Sequence, residues 1–199
     1  SYEIADIATV YTDGTDATTD TYAKALTVNG VLADGSKVVV PASEYAVLTS
    51  SNIAYADGKI TAVAGLANAG KALEKVNEAT EKVTVIINTT AEELTKDVKI
   101  SKAVPVVASA KLDGVDKIEV TDAATLAKIV AIGKIKVTDQ YGVETVYAGT
   151  TDRLSLTDVD TAKFTLTQNG TKDASAALKA SGTANVTAKI TFAGGFTYT

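Results

Sequence analysis

Apolar and polar residues alternate with a period of two along most of this 199-residue chain. That period places neighbouring side chains on opposite faces of an extended backbone and predicts β-strands. Val38-Val39-Val40 follows the turn Ala33-Asp34-Gly35-Ser36 and stops at Pro41. Ala54-Tyr55-Ala56 and Lys59-Ile60-Thr61-Ala62-Val63 flank Asp57-Gly58, a dipeptide that predicts a tight hairpin. Lys82-Val83-Thr84-Val85-Ile86-Ile87 reads as a buried strand, and Val98-Lys99-Ile100 alternates after Thr95-Lys96-Asp97. Val104-Pro105-Val106-Val107 opens a second series. It runs through Lys117–Val120, Ile135–Thr138, Val143–Tyr147, Arg153–Leu156, Lys163–Thr167, Ala184–Thr191 and Phe196–Tyr198, with Asn169-Gly170 as a further tight-turn pair. Strands and turns at this spacing predict β-sandwiches.

Two stretches carry helical spacing instead. Ala69–Ala79 sets Leu73, Val76 and Ala79 on one face, with charged pairs at helical intervals. Asp122–Val130 has an N-cap candidate in Asp122 and a stop in Gly133. Both are expected as short helical crossovers between strands.

The two halves resemble each other. Leu26-Thr27-Val28-Asn29 followed by Gly35-Ser36-Lys37-Val38-Val39-Val40 parallels Ile135-Lys136-Val137-Thr138 followed by Gly142-Val143-Glu144-Thr145-Val146-Tyr147. Each reads strand, polar turn with Gly, strand. The spacing, roughly 108 residues, is too long for a solenoid repeat and matches tandem sandwich domains. The expected fold class is therefore all-β: tandem Ig-like β-sandwiches with short helical crossovers, over residues 1–103 and 104–199.

Composition narrows the chemistry. The chain has no Cys, His, Met or Trp. Thiol redox chemistry, Cys–His and Ser–His–Asp catalysis and nearly all zinc, haem and iron–sulfur sites are thereby excluded. The net charge is −5, and Arg153 is the single arginine beside the lysines. An acidic chain without an arginine-bearing basic face is not expected to bind nucleic acid. No apolar run reaches the roughly 18 residues that span a bilayer, so no membrane insertion is expected. The N-terminal Ser1-Tyr2-Glu3-Ile4 has no basic or apolar leader pattern, and the chain reads as a mature or excised piece of a longer one. Freedom from oxidisable residues fits an abundant protein outside a bacterial cell.

Local motifs add little catalytic promise. Gly65-Leu66-Ala67-Asn68-Ala69-Gly70-Lys71-Ala72 matches the core of a phosphate-binding loop, but Ala72 stands where Ser or Thr would hold Mg²⁺. It reads as a Gly/Ala crossover. The carboxylate pairs Glu92/Glu93 and Asp158/Asp160 and the trio Asp13/Asp16/Asp20 are the acid–base options, and they read as solvated turn residues. No Ser has Lys three positions on, and G-x-S-x-G is missing. The chain is expected not to be an enzyme, with no catalytic and no cofactor-binding residue assigned. Calcium is the ligand this composition can still take, because it needs only oxygen donors. Thr12–Asp20 concentrates Asp13, Asp16 and Asp20 without the EF-hand pattern, so an irregular or interdomain site is the form such a centre would have. Its ligands are not assigned.

Lys134-Ile135-Lys136-Val137-Thr138-Asp139-Gln140-Tyr141-Gly142-Val143 resembles the V-x-D-Q-Y-G strand–turn–strand signature of Ig-like domains in Bacillus-type surface-layer (S-layer) proteins. Leu26–Gly30, Asp34-Gly35-Ser36, Ser50–Ala54 and Gly58-Lys59-Ile60-Thr61-Ala62 are similar to the bacterial group 2 Ig-like pattern. The first half departs from the signature in lacking D-Q-Y-G. The resemblance implies a structural segment that assembles with copies of itself into a two-dimensional lattice on the bacterial surface. It often implies calcium dependence, and it places wall anchoring in regions outside this chain. The alternative is a pair of Ig-like spacer domains from an adhesin or a secreted wall-associated enzyme.

Overall fold

The computed structural model describes residues 1–114, 123–124, 134–148, 153–157, 164–169, 173–178 and 187–199. The chain divides into two compact units, Ser1–Val104 and Pro105–Thr199. Both are built of strands, and the fold is all-β.

The first unit holds β1 (Tyr2–Ile4), β2 (Val10–Tyr11), β3 (Lys24–Ala25), β4 (Val28–Val31), β5 (Lys37–Val39), β6 (Tyr45–Thr49), β7 (Ile53–Ala56), β8 (Lys59–Ala62), β9 (Glu78–Ile87) and β10 (Glu93–Ser101). A single 3-10 turn, Ala42–Glu44, precedes β6. The strands form three sheets, ordered β1-β4-β5, β2-β10-β9-β6 and β3-β8-β7. All pairs are antiparallel except β2 beside β10.

The hairpin β9–β10 is the longest element, running from Glu93 opposite Ile86 to Ser101 opposite Glu78. Alternation sorts its faces. Val83, Val85 and Ile87 on β9 and Val98 and Ile100 on β10 are buried, whereas Lys82 and Lys99 are exposed. Ile4 and Val28 from the β1-β4-β5 sheet and Ile53, Ile60 and Ala62 from the β3-β8-β7 sheet close on the same interior. Three sheets sharing one apolar core make this unit an Ig-like β-sandwich. Truncating a fully buried Ile such as Ile60 or Ile100 to Ala would cost about 2–5 kcal/mol, because the rigid sheets collapse only partly onto the hole. The expected hairpin between β7 and β8 forms, with Asp57 and Gly58 at φ 49 and 75. Positive φ at both positions gives a turn whose twist matches that of the strands.

The helical spacing over Ala69–Ala79 does not become a helix. Residues 64–77 form a chain of turns, and Glu78 and Ala79 already belong to β9, opposite Ser101 and Ile100. Leu66 and Leu73 are buried, but Val76, on the face expected to be apolar, is exposed. Gly70 inside the pattern costs about 1 kcal/mol of helix preference. The ladder of the long hairpin takes Glu78 and Ala79, and turn bonds such as Lys71 N–H to the Asn68 carbonyl and Leu73 N–H to the Leu66 carbonyl hold the residues before them.

The second unit holds β11 (Val107–Lys111), β12 (Ala123–Ala124), β13 (Lys136–Asp139), β14 (Glu144–Val146), β15 (Arg153–Thr157), β16 (Phe164–Asn169), β17 (Asp173–Leu178), β18 (Thr187–Thr191) and β19 (Thr197–Tyr198). Among the described residues one sheet runs β11-β13-β14, and another runs β12-β17-β15-β18-β19 with β16 on β17. Ile135, Val137, Tyr141, Ile190 and Phe192 are buried. Phe192 meets the Tyr147 ring edge-on at 4.9 Å. Where helix is expected from Asp122, Ala123 and Ala124 instead pair with Ala177 and Ala176. The remainder of that stretch, Lys117–Val120 and the turn after Asn169 lie outside the described residues.

Candidate functional site

The phosphate-loop match is used up by the chain itself. Gly65 and Ala67 donate their N–H groups to the carbonyls of Thr15 and Gly14, at 2.8 and 2.7 Å. Asn68 donates to Gly65 and Lys71 to Asn68. The Gly70 N–H already holds an anion, the Glu74 carboxylate, at 2.7 Å. A phosphate cradle needs several convergent free N–H groups at a helix start, and this crossover offers neither.

The three aspartates of Thr12–Asp20 are not drawn together. Asp13 Oδ1 accepts the N–H groups of Thr15 and Asp16, both at 2.8 Å, and these bonds hold its carboxyl below the usual range. Asp20 faces Lys59 at 3.8 Å. Among the described residues no group of three or more Asp or Glu side chains is placed to hold a metal ion. Glu92 and Glu93 sit in and after the β9–β10 loop, with Glu93 exposed at the first position of β10. Asp158 and Asp160 lie outside the described residues.

What shapes the Thr12–Asp20 loop is its threonines. The buried Thr12 hydroxyl donates to the Asp16 carbonyl at 3.0 Å and accepts the Gly14 N–H at 3.2 Å. The Thr18 hydroxyl donates to the Tyr11 carbonyl and accepts the Ala62 N–H, at 3.1 and 2.8 Å. Tyr11 lies on β2 and Ala62 on β8, so one hydroxyl ties two sheets together.

The feature that both units share is an edge. In β1-β4-β5, Glu3, Asn29 and Val39 form one cross-strand row, and Lys37 lies two residues before Val39. In β11-β13-β14, Lys111, Lys136 and Val146 form the matching row, and Glu144 lies two residues before Val146. Both hairpins turn on a glycine of left-handed φ, Gly35 at 83 and Gly142 at 81. Lys37 and Glu144 each follow that glycine by two positions.

Each edge residue makes an ion pair over the middle strand. Lys37 Nζ meets Glu3 Oε1 at 2.6 Å, and Glu144 Oε2 meets Lys111 Nζ at 2.6 Å. The middle residue supports the carboxylate in both cases. Asn29 Nδ2 donates to Glu3 at 3.3 Å, and Lys136 Nζ approaches Glu144 at 3.4 Å while pairing with Asp113 at 3.0 Å. Lys37, then Asn29, holds the Glu3 carboxyl below its ordinary value, and Lys111 does the same for Glu144.

The same turns are closed by different carboxylates. Asp34 Oδ1 accepts the Ser36 N–H at 2.9 Å from within its turn. Asp139 Oδ1 accepts the N–H groups of Tyr141 and Val143 at 2.8 and 3.0 Å from the start of its own. The first unit therefore closes the equivalent turn without a D-Q-Y-G run. Gln140 of that run reaches elsewhere, accepting the Val106 N–H on Oε1 at 2.6 Å while its own N–H donates to the Val106 carbonyl at 3.2 Å.

The outer side of both edges is open among the described residues. Val28/Val40 and Leu32/Ser36 are hydrogen-bonded pairs, so the alternation turns the N–H and C=O of Lys37 and Val39 away from β4. Ile135/Tyr147 and Asp139/Val143 fix the same phase in the second unit, and Glu144 and Val146 point outward from β13. All six residues of β5 and β14 are exposed, with Val39 at 65% and Val146 at 68%. Sequence reading registered the parallel between the halves but not this row. The signal for it is the shared spacing of turn Gly, a charged residue two positions on and Val four positions on.

No family model and no curated protein sequence matches the chain. Among solved structures, domains 4–9 of surface layer protein SbsC are similar at 19% identity, covering 97% of this chain and 28% of that one, with a TM-score of 0.33. Domains 1–6 of the same protein give 20% identity, 97% and 26% coverage and a TM-score of 0.29. Extracellular cadherin domains 1–4 of protocadherin gamma B7 give 11% identity, 99% and 47% coverage and a TM-score of 0.32. The chain thus spans less than half the length of each of these structures. Scores this low carry no inference about function.

Proposed function

We propose that this chain is a structural segment of a bacterial S-layer protein, lying outside the cell and assembling with copies of itself into a two-dimensional lattice. Its two units act as rigid Ig-like modules, with wall anchoring supplied by other parts of a longer protein. The observation that carries this reading is the duplicated edge, in which an exposed strand with outward backbone groups and an exposed Val recurs row for row in both units. Backbone groups left outward at an edge can pair with another chain, and each of these edges is three residues long and carries one charged residue. The Asp139–Gly142 run and the Cys-, His- and Met-free composition support the same role.

Negative-stain electron microscopy of the concentrated chain, alone and with added calcium, tests the proposal. Ordered sheets or linear arrays are expected. Dispersed particles under every condition, together with retention on wall glycan or a host surface, would replace this reading with spacer domains of an adhesin or wall-associated enzyme.

A further inference from the structure

We propose that β6 of one copy pairs edge to edge with β6 of a second copy, antiparallel and two-fold symmetric about Val47, so that the two β2-β10-β9-β6 sheets join into one continuous sheet. This inference rests on the assembly reading above and adds to it a contact of stated surface and register.

Three observations converge on it. First, β6 ends its sheet, and among the described residues no strand lies beyond it. The Asn88 N–H bonds the Glu44 carbonyl and the Ser50 N–H bonds the Lys82 carbonyl, so the alternation turns the N–H and C=O of Tyr45, Val47 and Thr49 away from β9. Second, this edge is unguarded. β6 reads Tyr-Ala-Val-Leu-Thr, five residues without a charge or a proline, whereas β5 and β14 have three residues and one charge each. Third, the face of β6 turned away from the core is apolar. Leu48 is 57% exposed there, and Ala46, two residues before it, is exposed as well.

Register and partner follow from the outward groups. In an antiparallel pair, residues whose groups face the partner strand stand directly opposite each other. Centring on Val47 sets Val47 against Val47 and Tyr45 against Thr49 at both ends, so all three outward residues of each copy are bonded. Sliding the partner by two residues leaves one outward residue of each strand beyond the end of the other. Between the bonded pairs, Leu48 stands opposite Ala46 of the second copy, in the more closely spaced kind of pair. Each large side chain thus covers a small one, and no like charges meet. Parallel pairing sets outward residues one step out of phase, which turns the core faces of the two sheets to opposite sides. The edge is therefore complementary to itself, and the contact is isologous. It forms dimers and leaves propagation into a lattice to other surfaces.

Sedimentation velocity on the 199-residue chain, from about 1 µM to about 1 mM, reads the association directly. Wild type is expected to pass from monomer towards dimer over that range. Leu48→Lys, on the exposed face, sets two lysines diagonally across the junction and should weaken dimerisation roughly tenfold or more. Thr49→Pro removes an outward N–H without touching the β9 ladder, and should weaken it as much while circular dichroism stays unchanged. The register has its own readout. The chain has no cysteine, so Ala46→Cys and Leu48→Cys variants each carry a single thiol. Oxidised as a mixture, they should form the mixed disulfide faster than either forms its own, because only the mixed pair stands directly opposite. Equal dimerisation of wild type and both edge variants overturns the β6 contact, as does a wild type that stays monomeric to about 1 mM. A mixed disulfide that forms no faster than the like ones overturns the register about Val47. The assembly reading is judged apart, by electron microscopy. Arrays that Leu48→Lys and Thr49→Pro also form leave that reading standing and remove this contact. Dimers that both variants block, without arrays, support this contact and remove the lattice.

Discussion

Lys37 and Glu144 occupy the same point in the two units and carry opposite charges, each with a 2.6 Å ion pair across the middle strand of a three-stranded sheet. The pairs they make are reversed in polarity: Glu3 answers Lys37, and Lys111 answers Glu144. The geometry is thus retained while the sign is exchanged, which leaves one edge basic and the other acidic.

Thr18 is expected to matter more to stability than an ordinary loop threonine. Thr18→Val keeps the shape but strands the Ala62 N–H and the Tyr11 carbonyl that the hydroxyl now joins. A buried polar group left unpaired costs about 1–3 kcal/mol. Urea unfolding of Thr18→Val should show a loss of that size, and Thr18→Ser should recover most of it. Equal stability of Thr18→Val and wild type would mean that water replaces the hydroxyl.

Gln140 is expected to hold the segment that enters β11. Its side chain accepts the Val106 N–H at 2.6 Å, immediately after Pro105. Gln140→Ala should speed hydrogen exchange at the Val106 amide by roughly five- to tenfold, as a bond of about 1 kcal/mol is lost. The amide of Val143, held by Asp139 rather than Gln140, should be unaffected. Unchanged exchange at Val106 would show that the contact is not formed in solution.

Acid should weaken the fold through the ion pairs. Lys37 lowers Glu3, Lys111 lowers Glu144 and Lys136 lowers Asp113, from ordinary values of 4.5, 4.5 and 3.8. A carboxylate lowered on folding stabilises the folded state above its unfolded value, and that contribution disappears as pH falls through the lowered one. The melting temperature should hold down to pH 4.5 and decline below it. Added salt should flatten the decline, since these groups are solvated. Lys136, raised from 10.5 by Asp113 and then Glu144, contributes below that pH and loses its contribution above it. A Glu3→Gln, Glu144→Gln double variant with the wild-type acid profile would show that other groups set it.

Tyr45 should ionise late. Burial, with a hydrogen bond to Tyr55, pushes its phenol up to about 12. Folding therefore favours the neutral phenol, a contribution present below pH 10.0 and lost between there and about 12. Alkaline absorbance titration should show a late step, coupled to unfolding, that Tyr45→Phe removes. A late step that persists in Tyr45→Phe would assign it to another tyrosine.

Much of the strand content is legible in the sequence because its causes are local. Alternation identifies the buried faces of β9 and β10, Asp57-Gly58 predicts its hairpin, and the Gly35 and Gly142 turns predict two more. The short strands β1, β2 and β3 escape such reading, since two or three residues carry no period. β17, built of small residues over Asp173–Leu178, shows no apolar alternation either. The helical spacing of Ala69–Ala79 misleads for another reason: β10 pairs with its end, Glu78 and Ala79, and a run of turns that buries Leu66 and Leu73 takes the residues before it.

The sequence alone determines the class, the turns and the exclusion of thiol and imidazole chemistry, because each follows from residue type or short-range spacing. Tertiary structure decided which strands end their sheets and which residues share a row. Those depend on pairing between segments as distant as Glu3 with Asn29 and Lys111 with Lys136. A charge at the second position after a turn glycine is legible in the chain. That it lies on an open edge, opposite in sign to its counterpart, follows only once strand register has placed both.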